Sequence, residues 1–462
     1  MDDIITNTQS MSKFLLDEKD YLIINSKDND YLFLSDSLQY FKITNTVVEE
    51  YLKLCESKEI DKTLLSEEEI MTIGNYLKQE KKDADEPTNP NVSHSFLILN
   101  LTSGCNLSCK YCFAETIQKH KTMSLDIAKK AIDNMLFQNG KIDEYSIYFF
   151  GGEPLLKKEL VQQITEYAYS EITQKRNKKI IFRINTNATL IDDAICSLFK
   201  QYDFHVTISI DGPMELHDTN RIYANGRGSY DNVMKSISFL KDNNITTNLR
   251  ATFNPKVRNL VPIFDFFEKM ELPYAYSFTI NSDYKSNANE TYFAEDQFEF
   301  IDKELKKVMD YFVLKITNRE RIFCTGIVRK LNTIKYKQIR THSCEAGRTS
   351  LTVDETGSYF ACQNMLPYKQ SIMGNVNTGI DNEARTKFMS KDLKSLSGCT
   401  RCKIRNLCVG GCEVERINSN YGLNSQICKF AQIEWKNILY AYSRIMEIKE
   451  QKSKRVITQY YN

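Results

Sequence analysis

The chain has no surplus of charge. Among its 462 residues Lys plus Arg number 61 and Asp plus Glu number 60, leaving a formal net charge of +1. That near-balance supplies no overall field for nucleic acid or an anionic membrane surface, so neither is expected as a partner. No apolar run approaches the roughly 20 residues of a membrane span. A basic start is also missing: Met1-Asp2-Asp3 is acidic where a secretory signal needs positive charge, so a cytoplasmic protein is expected. No low-complexity tract is present. Cysteine is what the chain does have. Of 13 cysteines, three fall within Cys105 to Cys112 and seven between Cys344 and Cys428, with Cys55, Cys196 and Cys324 standing apart. In a long chain without a secretory signal, thiols at short spacings point to metal or catalysis before disulfides.

The length suits about three domains of roughly 150 residues each. Residues 1–80 read as a small winged-helix-like module. Tyr21-Leu22-Ile23-Ile24, Tyr31-Leu32-Phe33-Leu34 and Tyr40-Phe41-Lys42-Ile43 are β-prone, and Val47 to Leu54 follow helical spacing. A capping box, Ser66 with Glu69, opens a second helix. Residues 81–93, charged and carrying Pro87 and Pro90, read as a linker. From 94 to 315 strands and helices alternate. Strands are predicted at Phe96–Leu101, Ile147–Phe150, Ile180–Ile184, Val206–Ile210, Leu249–Phe253 and Tyr276–Ile280, with helices between them. A further long helix is predicted over Ala294–Ile316. Six βα units argue for an α/β fold, a partial (β/α)6 TIM-like barrel open on one side. Residues 316–462 are cysteine-rich and turn-rich until a closing helix at Ala431–Lys449.

Cys105-Asn-Leu-Ser-Cys109-Lys-Tyr-Cys112 directly follows the first barrel strand. Three thiolates in one loop can hold three irons of a four-iron cluster and leave the fourth open. Structural zinc, the plainer alternative, wants four closed ligands; His120 alone is a weak candidate for the fourth. The C-x3-C-x2-C loop with Tyr111 before its last cysteine resembles the radical S-adenosylmethionine (SAM) signature. The resemblance implies that SAM chelates the open iron and is cleaved reductively to a 5′-deoxyadenosyl radical. Gly151-Gly152-Glu153-Pro154 at the end of the second strand resembles the family motif that holds the SAM amino group. The two glycines there permit close backbone approach to a ligand. Asn185-Thr186-Asn187 ends strand three, with Ala188 where the family often has Gly. Ser209 and Asp211 end strand four. The resemblance implies that Gly151, Gly152, Glu153, Asn185, Ser209 and Asp211 contact SAM.

Cys344, Cys362, Cys399, Cys402, Cys408, Cys412 and Cys428 resemble a SPASM domain, which binds two auxiliary clusters. Part of this set would also fit a zinc knuckle. By the resemblance Cys344, Cys362 and Cys412 hold the first auxiliary cluster, and Cys399, Cys402, Cys408 and Cys428 the second. Three 4Fe-4S clusters and SAM are therefore the expected cofactors. With three cysteines, the first auxiliary cluster has room for a substrate thiolate; Cys324 reads as an ordinary buried thiol. The N-terminal module resembles the precursor-recognition element of enzymes that tailor ribosomally made peptides, which bind a leader peptide as an added strand. The expectation is a radical SAM enzyme that forms Cys sulfur-to-carbon thioether cross-links in a precursor peptide, with flavodoxin or ferredoxin as electron donor. Carbon–carbon cross-linking is the alternative, and a metal-stabilised peptide-binding or redox-sensing protein the non-enzymatic one. No residue is singled out as a catalytic acid or base.

Overall fold

The computed structural model describes residues 21–27, 29–35, 38–43, 94–112, 121–138, 142–279, 291–340, 342–390, 397–400, 402–412, 414 and 425–460. The helices expected near Val47 and Ser66, the linker 81–93, Cys55 and His120 lie outside the described residues.

Strands β1 (Tyr21–Asn25), β2 (Asp30–Leu34) and β3 (Gln39–Ile43) form an antiparallel sheet in that order. The larger sheet is built from β4 (Phe96–Asn100), β5 (Glu144–Phe150), β6 (Lys179–Thr186), β7 (His205–Ser209), β8 (Thr247–Phe253) and β9 (Tyr274–Phe278). All six run parallel in sequence order, as the alternating βα pattern predicts. The connecting helices are α1 (Leu125–Gln138), α2 (Lys158–Tyr169), α3 (Asp193–Gln201), the short α4 (Met214–Asn220), α5 (Tyr230–Asp242) and α6 (Leu260–Lys269). The last strand, expected at Tyr276–Ile280, starts two residues earlier because Tyr274 donates its N–H to Phe323 O at 3.0 Å and bridges Cys324.

The period-two alternation of the strands separates two faces. Leu97, Leu99, Ile147, Phe149, Ile184, Val206, Ile208, Leu249 and Phe253 are almost fully buried beneath the helices. Their alternates Tyr148, Arg183, Asn185, Thr207, Arg250 and Thr252 retain solvent exposure and form the inner wall of a partial barrel. This asymmetry explains why an interior made of mixed polar side chains does not collapse the fold. Burial of the outer face contributes roughly 1.5–3 kcal/mol per large apolar side chain.

The sheet does not end at β4. Strand β10 (Ser350–Val353) pairs parallel to β4, and β11 (Tyr359–Phe360) pairs antiparallel to β10, giving the order β11-β10-β4-β5-β6-β7-β8-β9. The division at residue 315 therefore crosses a continuous sheet. An unpaired β4 edge would leave its N–H and C=O groups open, and the cysteine-rich segment covers them. Helix α7 (Glu295–Thr317) packs along the closing helix α9 (Gln426–Tyr460), which is longer than the predicted Ala431–Lys449. Between them in sequence lies α8 (Thr325–Lys335). The N-terminal sheet also rests on α9: Tyr40 donates to Leu439 O at 3.1 Å and meets the Tyr442 ring edge-on. Among the described residues, no helix is long and apolar enough to cross a membrane.

Candidate iron–sulfur and SAM site

The cysteine loop leaves the C-terminal end of β4, where a parallel barrel presents its loops to ligands. It is tied down from one side by the segment after α4. Ser108 N–H donates to Ile222 O at 2.7 Å, Lys110 N–H donates to Asn220 O at 3.1 Å, and Leu107 bridges Tyr223. Cys109 is buried while Cys105 stays exposed. The protein packed around the loop partly desolvates even the exposed Cys105 thiol and pushes it up to about 11, and burial pushes the Cys109 thiol up to about 12, each raised further by the neighbouring thiols. Left alone, such thiols hold their protons; coordinated iron replaces the proton and relieves that cost. Two N–H groups already face Cys105 Sγ, Leu107 N at 3.4 Å and Asn187 Nδ2 at 3.8 Å. Soft sulfur donors with N–H···S contacts suit an iron–sulfur cluster. Among the described residues, no group of three His, Cys, Asp or Glu side chains is placed to hold a single metal ion.

Beneath the loop lies a buried ion network. Asp211 accepts from the Tyr111 hydroxyl, pairs with Arg221 Nε at 3.1 Å and accepts the Thr252 N–H at 3.0 Å. Arg221 also stacks over the Tyr111 ring at 5.5 Å. Burial opposes the Arg221 charge, yet Asp211, Tyr111 and Cys109 outweigh it and raise its pKa. His217, pushed down to about 3 by burial and then by Arg221, is neutral. Its Nδ1 accepts the Asp211 N–H at 3.4 Å, so Nε2–H donates to Ser229 Oγ at 2.9 Å. Asp211, read from sequence as a SAM contact, is fully buried and occupied here. Its place is under the cysteine loop, where it joins β7 and β8 to Tyr111. Ser209 is buried at the end of β7, and Asn185 faces the interior from β6.

The Gly151-Gly152-Glu153 turn is equally packed. A Cβ on Gly151, whose φ is +143°, would stand 2.5 Å from Thr102 O, and one on Gly152 would stand 2.2 Å from Gly104 O. The close approach that needs glycine is thus to the backbone leading into the cysteine loop. Gly152 N–H donates to Thr102 O at 2.7 Å, and Glu153 N–H donates to Gly104 O at 2.9 Å. The Glu153 carboxylate is wholly buried and accepts from Leu155 N at 2.9 Å, Thr186 Oγ1 at 2.7 Å and Asn187 N at 2.7 Å. Burial raises its pKa to about 7 against those three donors. The residues expected to touch SAM therefore first hold strand ends β4, β5 and β6 together. Asn187, two residues beyond the expected Asn185, is the one whose side chain reaches Cys105, and it also donates to Asn106 Oδ1 at 2.9 Å.

The C-terminal thiols fall into two neighbourhoods. Burial pushes Cys362 up to about 12, and the nearby thiols that raise it further are Cys412 and Cys344. Burial likewise takes Cys408 to about 12, with Cys402, Cys428 and Cys399 adding to it. Cys402, at about 11, is raised by burial and by Cys399 and Cys428, against an Ile404 N–H that lowers it. Arg340 interacts with both Cys408 and Cys344 and donates from Nη2 to Leu407 O at 3.2 Å. Cys324, fully buried at the start of α8, has Glu268, Tyr274 and Lys330 around it.

Residues 99–257 match the Radical SAM superfamily. This segment is similar to radical SAM domains. An uncharacterized protein of Methanocaldococcus jannaschii is 41% identical over 149 residues, 32% of this chain and about half (49%) of that protein. The radical SAM cyclopropyl synthase TigE of Paramaledivibacter caminithermalis is 26% identical over 348 residues, covering 70% of this chain and 68% of TigE. A cysteine-type anaerobic sulfatase-maturating enzyme of Clostridium perfringens is 24% identical over 371 residues, covering 77% of this chain and 98% of that enzyme. In structure, anSMEcpe with bound AdoMet and Cp18Cys peptide superposes with a TM-score of 0.63 at 22% identity, covering 77% of this chain and 99% of its own. Streptococcus suis SuiB bound to precursor peptide SuiA gives 0.52 at 16% identity, covering 90% and 99%. These structural likenesses establish the fold: a mostly parallel α/β sheet shared with radical SAM enzymes.

Proposed function

We propose that this chain modifies a ribosomally made precursor peptide, joining a Cys sulfur to a carbon of the same peptide as a thioether. The observation that carries the reading is the division of the C-terminal thiols into a set of three around Cys362 and a set of four around Cys408. On this reading Cys105, Cys109 and Cys112 hold the SAM-binding cluster, Cys344, Cys362 and Cys412 the first auxiliary cluster, and Cys399, Cys402, Cys408 and Cys428 the second. A cluster held by Cys105, Cys109 and Cys112 would bind SAM, and the pair would supply the radical chemistry for removing a hydrogen atom from a peptide carbon. The protein's own residues position and dry the site. Asp211, Tyr111 and Arg221 fix the loop; Glu153 ties three strand ends; Asn187 and Leu107 present N–H groups to Cys105. Were Cys344, Cys362 and Cys412 to hold a four-iron cluster, three cysteines would leave one iron available to the peptide's thiolate. The net change in the peptide is the loss of two hydrogens per bond, one as the abstracted atom and one as the thiol proton, with one electron passed on.

The match to SuiB, which extends over more of this chain than the match to anSMEcpe, supports a precursor peptide as substrate. Residues 1–80 are proposed to hold its leader segment, an external flavodoxin or ferredoxin to supply electrons, and the cytoplasm to house the reaction. The likeness to a cyclopropyl synthase favours one second reading, carbon–carbon bond formation on the same kind of peptide. Both readings are tested at the radical step. Reduced, anaerobically reconstituted protein is incubated with SAM and a deuterated candidate precursor encoded beside the gene. Deuterium in 5′-deoxyadenosine supports abstraction from the peptide; SAM cleavage that ignores the peptide contradicts it.

A further inference from the structure

The small N-terminal sheet does not close fully onto the helices it rests on. Between β2 and β3 on one side and α8 and α9 on the other lies a cavity of about 530 Å³, within the roughly 300–1,000 Å³ common for ligand sites. Its floor is apolar: Tyr31, Leu38 and Ile334 are buried, and Tyr40 and Tyr442 are half-buried. Tyr31 stacks on Tyr40 at 5.2 Å and Tyr40 meets Tyr442 edge-on at 5.4 Å, so the rings hold one another in place. Met446 of α9 also lines the cavity, yet it remains 45% exposed. The rim is cationic. Lys42 comes from β3, Lys335 closes α8, Lys337 follows it and Lys449 comes from α9, against the single carboxylate of Glu450. Glu450 pairs with Lys42 at 3.4 Å. Lys335 stands over the Tyr336 ring at 4.7 Å, and among the described residues the Lys337 ammonium makes no hydrogen bond or ion pair.

An open apolar floor ringed by lysines calls for an occupant with large apolar side chains and several carboxylates. The lysines stand on separate elements around the cavity, which suits carboxylates spaced along a chain better than one phosphate. A folded acidic protein would meet the lysines but leave the cavity unfilled. We propose that this cleft seats an acidic segment of the precursor peptide, with a Leu or Phe side chain in the cavity and Asp or Glu side chains against Lys335, Lys337 and Lys449. The proposal rests on the peptide-modifying reading for the identity of the occupant. It differs from strand addition at a sheet edge. Tyr31 pairs with Lys42 and Phe33 with Tyr40, which puts Tyr31, Tyr40 and Lys42 on the face of the sheet turned to α9. The site therefore needs α8 and α9 as well as the N-terminal sheet.

The test is binding, so it does not depend on turnover. Anaerobically reconstituted full-length protein is titrated with acetyl-Glu-Leu-Glu-Phe-Glu-Leu-amide and with the same peptide carrying Gln for each Glu. At low salt the wild type should bind the Glu peptide about tenfold more tightly, the combined effect of a few exposed ion pairs. The gap should narrow as salt rises. Lys335→Gln combined with Lys337→Gln should remove most of the preference, and Met446→Ser should weaken both peptides alike. All three changes lie at exposed residues, so melting midpoints and iron content should stay as in the wild type. Equal binding of the two peptides by the wild type overturns the proposal. So does a preference that survives in the double lysine variant, or a Met446→Ser protein that binds both peptides as before. A double lysine variant that flavodoxin reduces more slowly, with the peptide preference intact, assigns the rim to the electron donor instead. Deuterium transfer from a precursor without any Glu preference removes the cleft and leaves the peptide-modifying reading. A Glu preference governed by the lysines, without deuterium transfer from any peptide, leaves the cleft standing and removes that reading.

Discussion

The hydroxyl of Tyr111, the residue before the last cysteine of the loop, donates to the carboxylate of Asp211, 100 residues further along the chain. Tyr111 is itself buried, and Arg221 closes the arrangement by pairing with Asp211 and stacking on the Tyr111 ring. The geometry of the three-cysteine loop is thus set from the end of β7. Asp211→Asn would leave the buried Arg221 without its anion, and removing one partner of a buried pair costs about 3–5 kcal/mol. Tyr111→Phe should cost less, about 1.5–3 kcal/mol for a hydrogen bond to a charged group. Both variants should bind fewer irons, by up to about four per chain, while the C-terminal thiols keep theirs. Iron and sulfide assays beside urea melts check this; full iron with unchanged stability contradicts it.

Gly152→Ala should disturb the same loop from the opposite side. The new methyl would lie 2.2 Å from Gly104 O, a backbone atom that cannot swing away, so β5 and the cysteine loop must separate. Destabilisation of about 1–3 kcal/mol is expected for such overpacking. An unchanged melting midpoint with normal iron content would show that the loop is not packed on this turn.

Glu153 gives the apoprotein a pH dependence. Its folded pKa of about 7 lies above the ordinary 4.5. A raised carboxylate contributes stability that is fully present below the unfolded pKa and lost as pH rises through the folded one. Between about pH 4.5 and 7 the loss should reach about 3 kcal/mol from this group. Glu153→Gln removes that slope, but turns an amide N–H toward a backbone donor and so lowers stability at the acid end. Urea midpoints of both proteins at pH 5 and 8 decide it; parallel pH profiles contradict the assignment.

The two C-terminal thiol sets should behave as units. Cys362→Ser and Cys412→Ser should each lose up to about four irons, and the double variant no more. Cys362→Ser combined with Cys408→Ser should lose about twice as many. Iron counts after reconstitution, with the spectrum of the reduced protein, test the grouping. A double variant at Cys362 and Cys412 that loses iron from both sets would dissolve it.

The cysteines and the six parallel strands were legible because spacing and alternation are local properties of a chain. The packing partners of Gly151, Gly152 and Glu153 were not. Their types suggest a ligand, whereas their first partners are Thr102, Gly104 and Asn187, which only the fold brings near. Arg221 went unnoticed for the same reason, since it looks like a surface arginine after a short helix, and Asn187, quoted with Asn185 and Thr186, was not singled out because it looks like a turn residue. The pairing of β10 with β4 joins segments some 250 residues apart, and no periodicity announces such a partner. The inner wall was hidden because half-exposed strand residues read like the solvent face of an ordinary sheet.

The most direct test of the account is the mass of the peptide product. A precursor encoded beside the gene is coexpressed with this chain without oxygen, reduced, and treated with a thiol alkylator. The account predicts a loss of two hydrogens for each cysteine that resists alkylation, with no disulfide to explain the resistance. The same mass loss with every cysteine alkylated would contradict thioether formation and leave carbon–carbon bonding in its place.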